Sequence, residues 1–300
     1  MTAGVYAIPT DVGVAVQNYI IDEIRDKYPM GLVPMVTVEG QPYTSRIPYM
    51  ESLKVSMGIM DVNAHQAAAN ASLKYLDVSI AGRQVKIAFS ARDLRRSGAD
   101  VVNAKNKTIL SKFLDEVDNA FWHGNYEGGV LVGAGLISQM TNVAADITAA
   151  QATAQVVFAN MKTMVQKIAP EYRSQYPIAF LIDWQSYDLA TTGIATGFTV
   201  SAMEVFKKAY PSVTVIPTNT ILATAANIDG GTDTVADNGR MLCFAQNQDL
   251  VRDIVALAPS PAGPAIVNLA GNIDQLWATL WGSKVIQATA TAYTGTVLTF

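Results

Sequence analysis

The stretch from Val85 to Ser138 constrains the fold of this 300-residue chain more than any other part of the sequence. It opens with a strand pattern that closes at Ser90, and an amphipathic helix follows. The apolar residues of that helix recur at spacings of three and four and form one stripe: Ile109, Leu110, Phe113, Leu114, Val117, Phe121 and Trp122. Several glycines follow between Gly124 and Gly135, and they let the backbone turn sharply between the helix and the next layer.

Acidic residues cluster near the C-terminal end of the predicted helix, at Asp115, Glu116 and Asp118. Negative charge at that end opposes the helix dipole, so an external cationic partner is expected. The candidates are three arginines on this or a neighbouring subunit: Arg92, Arg95 and Arg96. The alternative interpretation is a solvated charged face, with the acids exposed to water.

The chain carries little charge for a soluble protein. Charged residues make up 15% of it and hydrophobic residues 50%, whereas roughly 25% charge is average. Because interface cores are depleted of charge, this composition favours a surface largely covered by copies of the chain itself. A well-buried monomer is the alternative. The net charge of −4 argues against high-affinity nucleic-acid binding, which requires a basic surface.

No catalytic, metal or cofactor site is predicted. Cys243 is the only cysteine and lies in an apolar run, which indicates a buried thiol. Neither His65 nor His123 has Cys, Asp or Glu at ligand spacing, and His123 is interpreted as a helix cap. The glycine run lacks the Lys-Ser/Thr of a phosphate-binding loop. No membrane span is predicted, since the uncharged run 254–273 contains three prolines.

The remaining patterns predict an α+β chain. Residues 14–28 are predicted to form a short amphipathic segment. Residues 36–90 are predicted to contain mainly strands, and Ala81-Gly82 is predicted to be a hairpin turn. Helix and strand alternate from residue 151 to 244, which indicates an α/β layer. The predicted helices there are 152–168 and 201–210, and the predicted strands are 178–182 and 213–217. Further strands are predicted at 240–246, 250–257 and 283–291.

This order of elements resembles the tailed-bacteriophage major capsid proteins, whose fold is shared with encapsulin nanocompartments. The specific resemblance lies in the strand ending at Ser90-Ala91-Arg92-Asp93-Leu94, the long helix with its acids, and the run ending at Gly135-Leu136. It implies an N-terminal arm (1–35), an extended β-hairpin loop (36–90), a peripheral domain with a spine helix (91–150 and 245–300) and an α/β axial domain (151–244). The family's final Pro-rich strand has no counterpart in this chain.

The resemblance implies a structural protein and no enzyme. The chain would assemble with itself into pentamers and hexamers of an icosahedral shell enclosing phage double-stranded DNA, which it would contact non-specifically. A scaffold protein, a portal and a decoration protein are further implied partners, and a membrane is not. Assembly would take place in the host cytoplasm and the product would be the virion. An encapsulin-like shell with protein cargo, and a soluble α/β enzyme with an unrecognised site, are the alternatives.

Overall fold

The computed structural model describes residues 28–38, 44–55, 69–90, 108–127, 130–142, 153–194, 197–221, 241–262, 266–267 and 272–293. The predicted segment 14–28 lies outside these ranges except for its last residue. Outside them as well are all three candidate arginines, His65 and most of the polar loop that follows residue 218.

The described chain contains thirteen strands and six α-helices. The strands are β1 (Met35–Thr37), β2 (Thr44–Val55), β3 (Ala69–Ser79), β4 (Ala81–Ser90), β5 (Gly124–Glu127), β6 (Val130–Ala134), β7 (Ile178–Ile182), β8 (Val213–Pro217), β9 (Met241–Ala245), β10 (Val251–Pro261), β11 (Ile266–Val267), β12 (Asn272–Val285) and β13 (Thr291–Tyr293). The helices are α1 (108–123), α2 (Leu136–Gln139), α3 (Ala154–Lys167), α4 (Pro170–Gln175), α5 (Trp184–Thr192) and α6 (Ala202–Ala209).

The first sheet is built around the long strand β12. It pairs antiparallel with β10, β11 and β4, and β1 extends the sheet by pairing parallel to β10. Trp277 and Trp281 are both buried in β12. Because side chains alternate across a strand, residues four apart share a face, so both rings lie on one side of this sheet.

Helix α1 buries its apolar stripe, as the sequence predicts. The stripe lies in the larger hydrophobic core of the described chain, here called the main core. Phe113, Leu114 and Val117 are all buried, and Trp122 is fully buried. The Trp122 ring packs against Phe121 at 5.0 Å between ring centroids. Its ring centroid lies 6.3 Å from that of Phe244 in β9. The helix therefore connects the first sheet to the second.

The second sheet has the order β13-β9-β7-β8. All five residues of β7 are buried, because alternate side chains enter two different cores. Ala179 and Leu181 join the core around α1, whereas Phe180 packs in a separate core with Phe206 of α6. Helices α3, α5 and α6 cover that second face. The predicted α/β layer is therefore present.

Side-chain caps fix the starts of two of these helices. The Asp183 carboxylate accepts a hydrogen bond from the Ser186 N–H at 2.8 Å, and the Ser201 hydroxyl accepts one from the Glu204 N–H at 3.3 Å. Capping of this kind satisfies N–H groups that have no partner within the helix.

The predicted hairpin turn at Ala81-Gly82 is wrong. Strand β3 pairs with β2 in a separate two-stranded ribbon, whereas β4 pairs with β12 over ten residues, beginning at Ala81. Gly82 is a strand residue, and a Cβ there would lie 2.9 Å from Cδ2 of Leu280. The glycine lies within the strand and does not form a turn.

Strands β1 and β4 belong to the first sheet, and β13 joins the second sheet. The division of the chain into an arm, a loop and two domains stays a prediction. The predicted strand 283–291 is interrupted, because β12 ends at Val285 and a 3-10 turn occupies Ala288–Ala290.

Candidate assembly surface and the acidic cluster

The acidic cluster on α1 divides into an exposed part and a buried part. Asp115 and Glu116 are exposed, whereas only 1% of Asp118 is exposed. The expectation of a solvent-exposed Asp118 that contacts another subunit is corrected, since the side chain is enclosed by its own chain. The predicted arginine partners, Arg92, Arg95 and Arg96, lie outside the described residues.

Asp118 is held by donors from three parts of the chain. Its Oδ1 accepts hydrogen bonds from the Met30 N–H at 3.0 Å and from Nε1 of Trp122 at 3.2 Å. The Thr220 side chain also hydrogen-bonds to it. Burial raises the pKa of Asp118 to about 7, and these three hydrogen bonds oppose the rise.

Residues 28–30, α1 and the segment after β8 meet around Asp118, and this place is here called the junction. Two neighbouring side chains also make hydrogen bonds there. The Tyr28 hydroxyl lies 3.0 Å from Oδ1 of Asp115 and 3.1 Å from the Ser111 carbonyl oxygen. At the last residue of α1, Nε2 of His123 lies 2.7 Å from the Thr220 carbonyl oxygen. His123 therefore ties the helix end to the segment that follows β8.

An open cleft of about 250 Å³ adjoins this junction. Its lining is polar and consists of Tyr28, Asp115, Asp118, Asn119, Asn219 and Thr220. The lining contains two carboxyl groups and no cysteine or histidine. Across the described ranges, no group of three or more His, Cys, Asp or Glu side chains is placed to hold a metal ion.

Apolar side chains are exposed at several separate places on the subunit surface. The large ones are Met35, Tyr75, Trp184, Ile194 and Phe198, each between 43% and 61% exposed. They belong to β1, to the β2–β3 ribbon and to the region around α5. Singly exposed apolar residues are normal on a protein surface.

Cys243 is buried, as predicted, and burial raises the pKa of its thiol above the ordinary value. Its Sγ lies 3.5 Å from the Met164 carbonyl oxygen inside the second core. A neutral, enclosed thiol is unreactive. Among the helices described, none combines the length and apolar character needed to cross a membrane.

The sequence contained only part of the information needed to find the junction. Asp118 and Trp122 are four residues apart, and that spacing places them side by side on a helix. Met30 and Thr220 lie 88 and about 100 residues away along the chain, so no local pattern connects them to Asp118.

Comparison with known proteins gives matches at the level of structure only. No protein-family description and no curated protein matches the sequence. The capsid of Myoviridae phage XM1 matches with a TM-score of 0.61 at 11% identity, over 90% of both chains. A virus-like particle from Pyrococcus furiosus matches with a TM-score of 0.55 at 11% identity, over 96% of this chain and 100% of that one. The capsid of an empty GTA particle matches with a TM-score of 0.59 at 12% identity, over 90% and 89%.

Proposed function

Because this chain has the fold of phage capsid proteins, we propose that it is a major capsid protein whose pentamers and hexamers form an icosahedral shell enclosing phage double-stranded DNA. The observation that carries the proposal is the extent of the match, which spans about nine-tenths of both this chain and the phage XM1 capsid chain. A fold alone does not establish a function. The low charge and the dispersed exposed apolar side chains add support for a subunit that packs against copies of itself.

The proposal extends to the parts of the subunit. Residues 1–35 serve as an arm and the region 36–90 as an extended loop, with β4 anchoring that loop in the first sheet. Residues 91–150 and 245–300 form the peripheral domain around α1, and 151–244 the axial domain, to which β13 contributes a strand. Subunits that all carry the same complementary surfaces can close into a shell by symmetry.

We retain Asp115 and Glu116 as candidate contacts to a neighbouring subunit, because both are exposed on α1. Their proposed partners are the guanidinium groups of Arg92, Arg95 and Arg96 from an adjacent copy. Exposed ion pairs contribute typically under ~1 kcal/mol each, but the same contact recurs at every copy of the interface. Asp118 is not part of this proposed contact.

Further partners follow from the same proposal. A scaffold protein, a portal and a decoration protein would act with the shell, assembly would occur in the host cytoplasm, and the mature location would be the virion. The net charge of −4 suits a lining that contacts packaged DNA without binding it tightly.

Electron microscopy of the purified full-length chain, combined with sedimentation velocity, tests self-assembly. We expect closed shells or ring-shaped capsomers. A single species near the chain mass of 32.1 kDa at every protein concentration would contradict the proposal.

The cargo is tested separately, on particles recovered from the natural host and treated with nuclease. Protected double-stranded DNA is expected. Shells that hold a protein and no DNA would instead support the nanocompartment alternative. The Pyrococcus furiosus virus-like particle has a fold similar to that of this chain. A monomer that turns over a substrate would support the soluble enzyme.

A further inference from the structure

Residues 28–38, here called the entry segment, attach to the rest of the subunit at successive points. Tyr28 and Met30 bond to α1 through Asp115 and Asp118. Nε2 of Gln246 donates to the Leu32 carbonyl oxygen at 3.0 Å. Further along, the Asp253 N–H donates to the Pro34 carbonyl oxygen at 2.9 Å, and β1 then pairs with β10.

Docking of the entry segment encloses the carboxyl group of Asp118. The Met30 N–H is one of its direct donors, and Met30 itself is 5% exposed. The titratable groups that face Asp118 are Asp115 and His123 on α1 and Tyr28 on the entry segment, while the segment after β8 presents the uncharged Asn219 and Thr220. The nearest charge, Asp115, is negative and disfavours ionisation of Asp118.

We propose that Asp118 makes the docking of the entry segment onto α1 proton-dependent, so that the segment is held more firmly in mildly acidic than in neutral or alkaline solution. The device is a buried carboxyl group at the junction of three chain segments, and detachment of the segment exposes that group to water. It does not require that the chain form a shell.

The direction follows from the two environments of the carboxyl group. In the docked state its pKa is about 7, and in water the pKa returns to the ordinary value near 3.8. The docked state therefore binds the proton more tightly than the detached state. The stabilisation is complete below the ordinary pKa and is lost as the pH rises through about 7.

Hydrogen exchange in the full-length chain tests the proposal at single amides. The Met30 amide reports docking directly, and the Phe180 amide, in the fully buried strand β7, reports global opening. After correction for intrinsic exchange chemistry, we expect Met30 protection to fall by about tenfold from pH 6 to pH 8 and to stay below Phe180 protection at both pH values, which identifies local detachment as the route of Met30 exchange.

The decisive variant is Asp118→Asn, which keeps an oxygen acceptor for Met30 and Trp122 and cannot ionise. It should remove the pH dependence at Met30 and keep protection at pH 8 above that of the wild type. Because Asp253 bonds to the same segment through Pro34 and burial raises its pKa to about 7 as well, the comparison is made in an Asp253→Asn background. His123→Gln and Asp115→Asn are matched controls that remove neighbouring titratable groups, and both should keep the slope. A slope retained in Asp118→Asn, or lost only in His123→Gln, overturns the proposal. If Asp118→Asn does not fold, the wild type decides, because a flat Met30 profile between pH 6 and pH 8 overturns it equally.

Discussion

Gly135 lies where neighbouring backbone atoms leave no room for a side chain. A Cβ at this position would lie 2.3 Å from the Gly124 nitrogen and 2.5 Å from the Trp122 carbonyl oxygen. Both are backbone atoms at the end of α1, so neither can move aside without shifting the helix. Gly124 itself has a φ of 112°, a conformation that favours glycine. Close approach of two chain segments therefore accounts for the glycine at Gly135, and backbone conformation accounts for the one at Gly124.

We expect Gly135→Ala to destabilise the subunit by at least about 2 kcal/mol, since overpacking of rigid backbone commonly costs 1–3 kcal/mol. Thermal unfolding of unassembled protein measures the effect. Gly197→Ala is the matched control: its φ is 88°, but no atom lies within 4 Å of the added Cβ, so the expected cost is only the backbone strain of about 1 kcal/mol. Equal effects of the two variants would show that steric exclusion at Gly135 is unimportant.

Asp253 is a second buried carboxyl group, on the first sheet, and its Oδ1 has no hydrogen-bond partner. Burial raises its pKa to about 7, so its contribution to stability is present in acid and is lost as the pH rises through about 7. We expect Asp253→Asn to raise stability relative to the wild type by about 2–3 kcal/mol more at pH 8 than at pH 5. Unfolding at both pH values checks this, and an equal change at both would contradict it.

At the scale of elements, the long helix was predictable because its apolar residues recur at a clear period, and β7 and β9 were predictable because each is a short continuous apolar run. The stripe containing Phe113 and Val117 needs only local spacing to be recognised. The pairing of β4 was not predictable, because Ala81-Gly82 looks like a turn unless β12, some two hundred residues away, is known to lie beside it. The burial of Asp118 was missed for the same reason, since Met30 and Thr220 enclose it from distant parts of the chain.

Substitutions on the buried and exposed faces of helix α1 should separate effects on folding from effects on assembly. Phe113→Ala removes a 6%-exposed aromatic side chain from the main core and should cost about 3–5 kcal/mol. Glu116→Ala, on the exposed face of the same helix, should change subunit stability by no more than about 0.5 kcal/mol. Thermal midpoints of unassembled subunits and particle yields are the two measurements. If Glu116→Ala leaves the particle yield unchanged as well, the proposed intersubunit role of Glu116 is wrong.

A buried and an exposed substitution in the β2–β3 ribbon should likewise separate effects on folding from effects on assembly. Near its junction with the first sheet, Val78 packs against Ile254 in a small core and is 3% exposed, whereas Tyr75 is 59% exposed. We expect Tyr75→Ser to lower particle yield and to leave the subunit's thermal midpoint unchanged. Val78→Ala, the buried counterpart, should instead lower that midpoint, because the substitution leaves a cavity in the small core. A fall in thermal midpoint for Tyr75→Ser would assign that ring to the subunit interior.

At the scale of the whole molecule, the subunit is a set of layers connected by one helix. Helices α3, α5 and α6 cover one face of the second sheet, and its other face shares the main core with α1 and the first sheet. That core is continuous between the two sheets. The exposed apolar side chains lie at separate places outside that core, which suits a subunit that contacts several neighbours.

The composition leads to a prediction about the forces that hold the assembly together. If the contacts were mainly ion pairs, raising the salt from about 0.1 M to 1 M would shorten the screening length from about 10 Å to about 3 Å and dissolve the assembly. With only 15% charged residues in the chain and large apolar side chains exposed at five positions among the described residues, we expect apolar contacts to dominate. Sedimentation of assembled protein should therefore show no dissociation at 1 M sodium chloride, and Trp184→Ser should release subunits at either salt concentration. Dissociation by salt alone would assign assembly to charged contacts such as those proposed for Asp115 and Glu116.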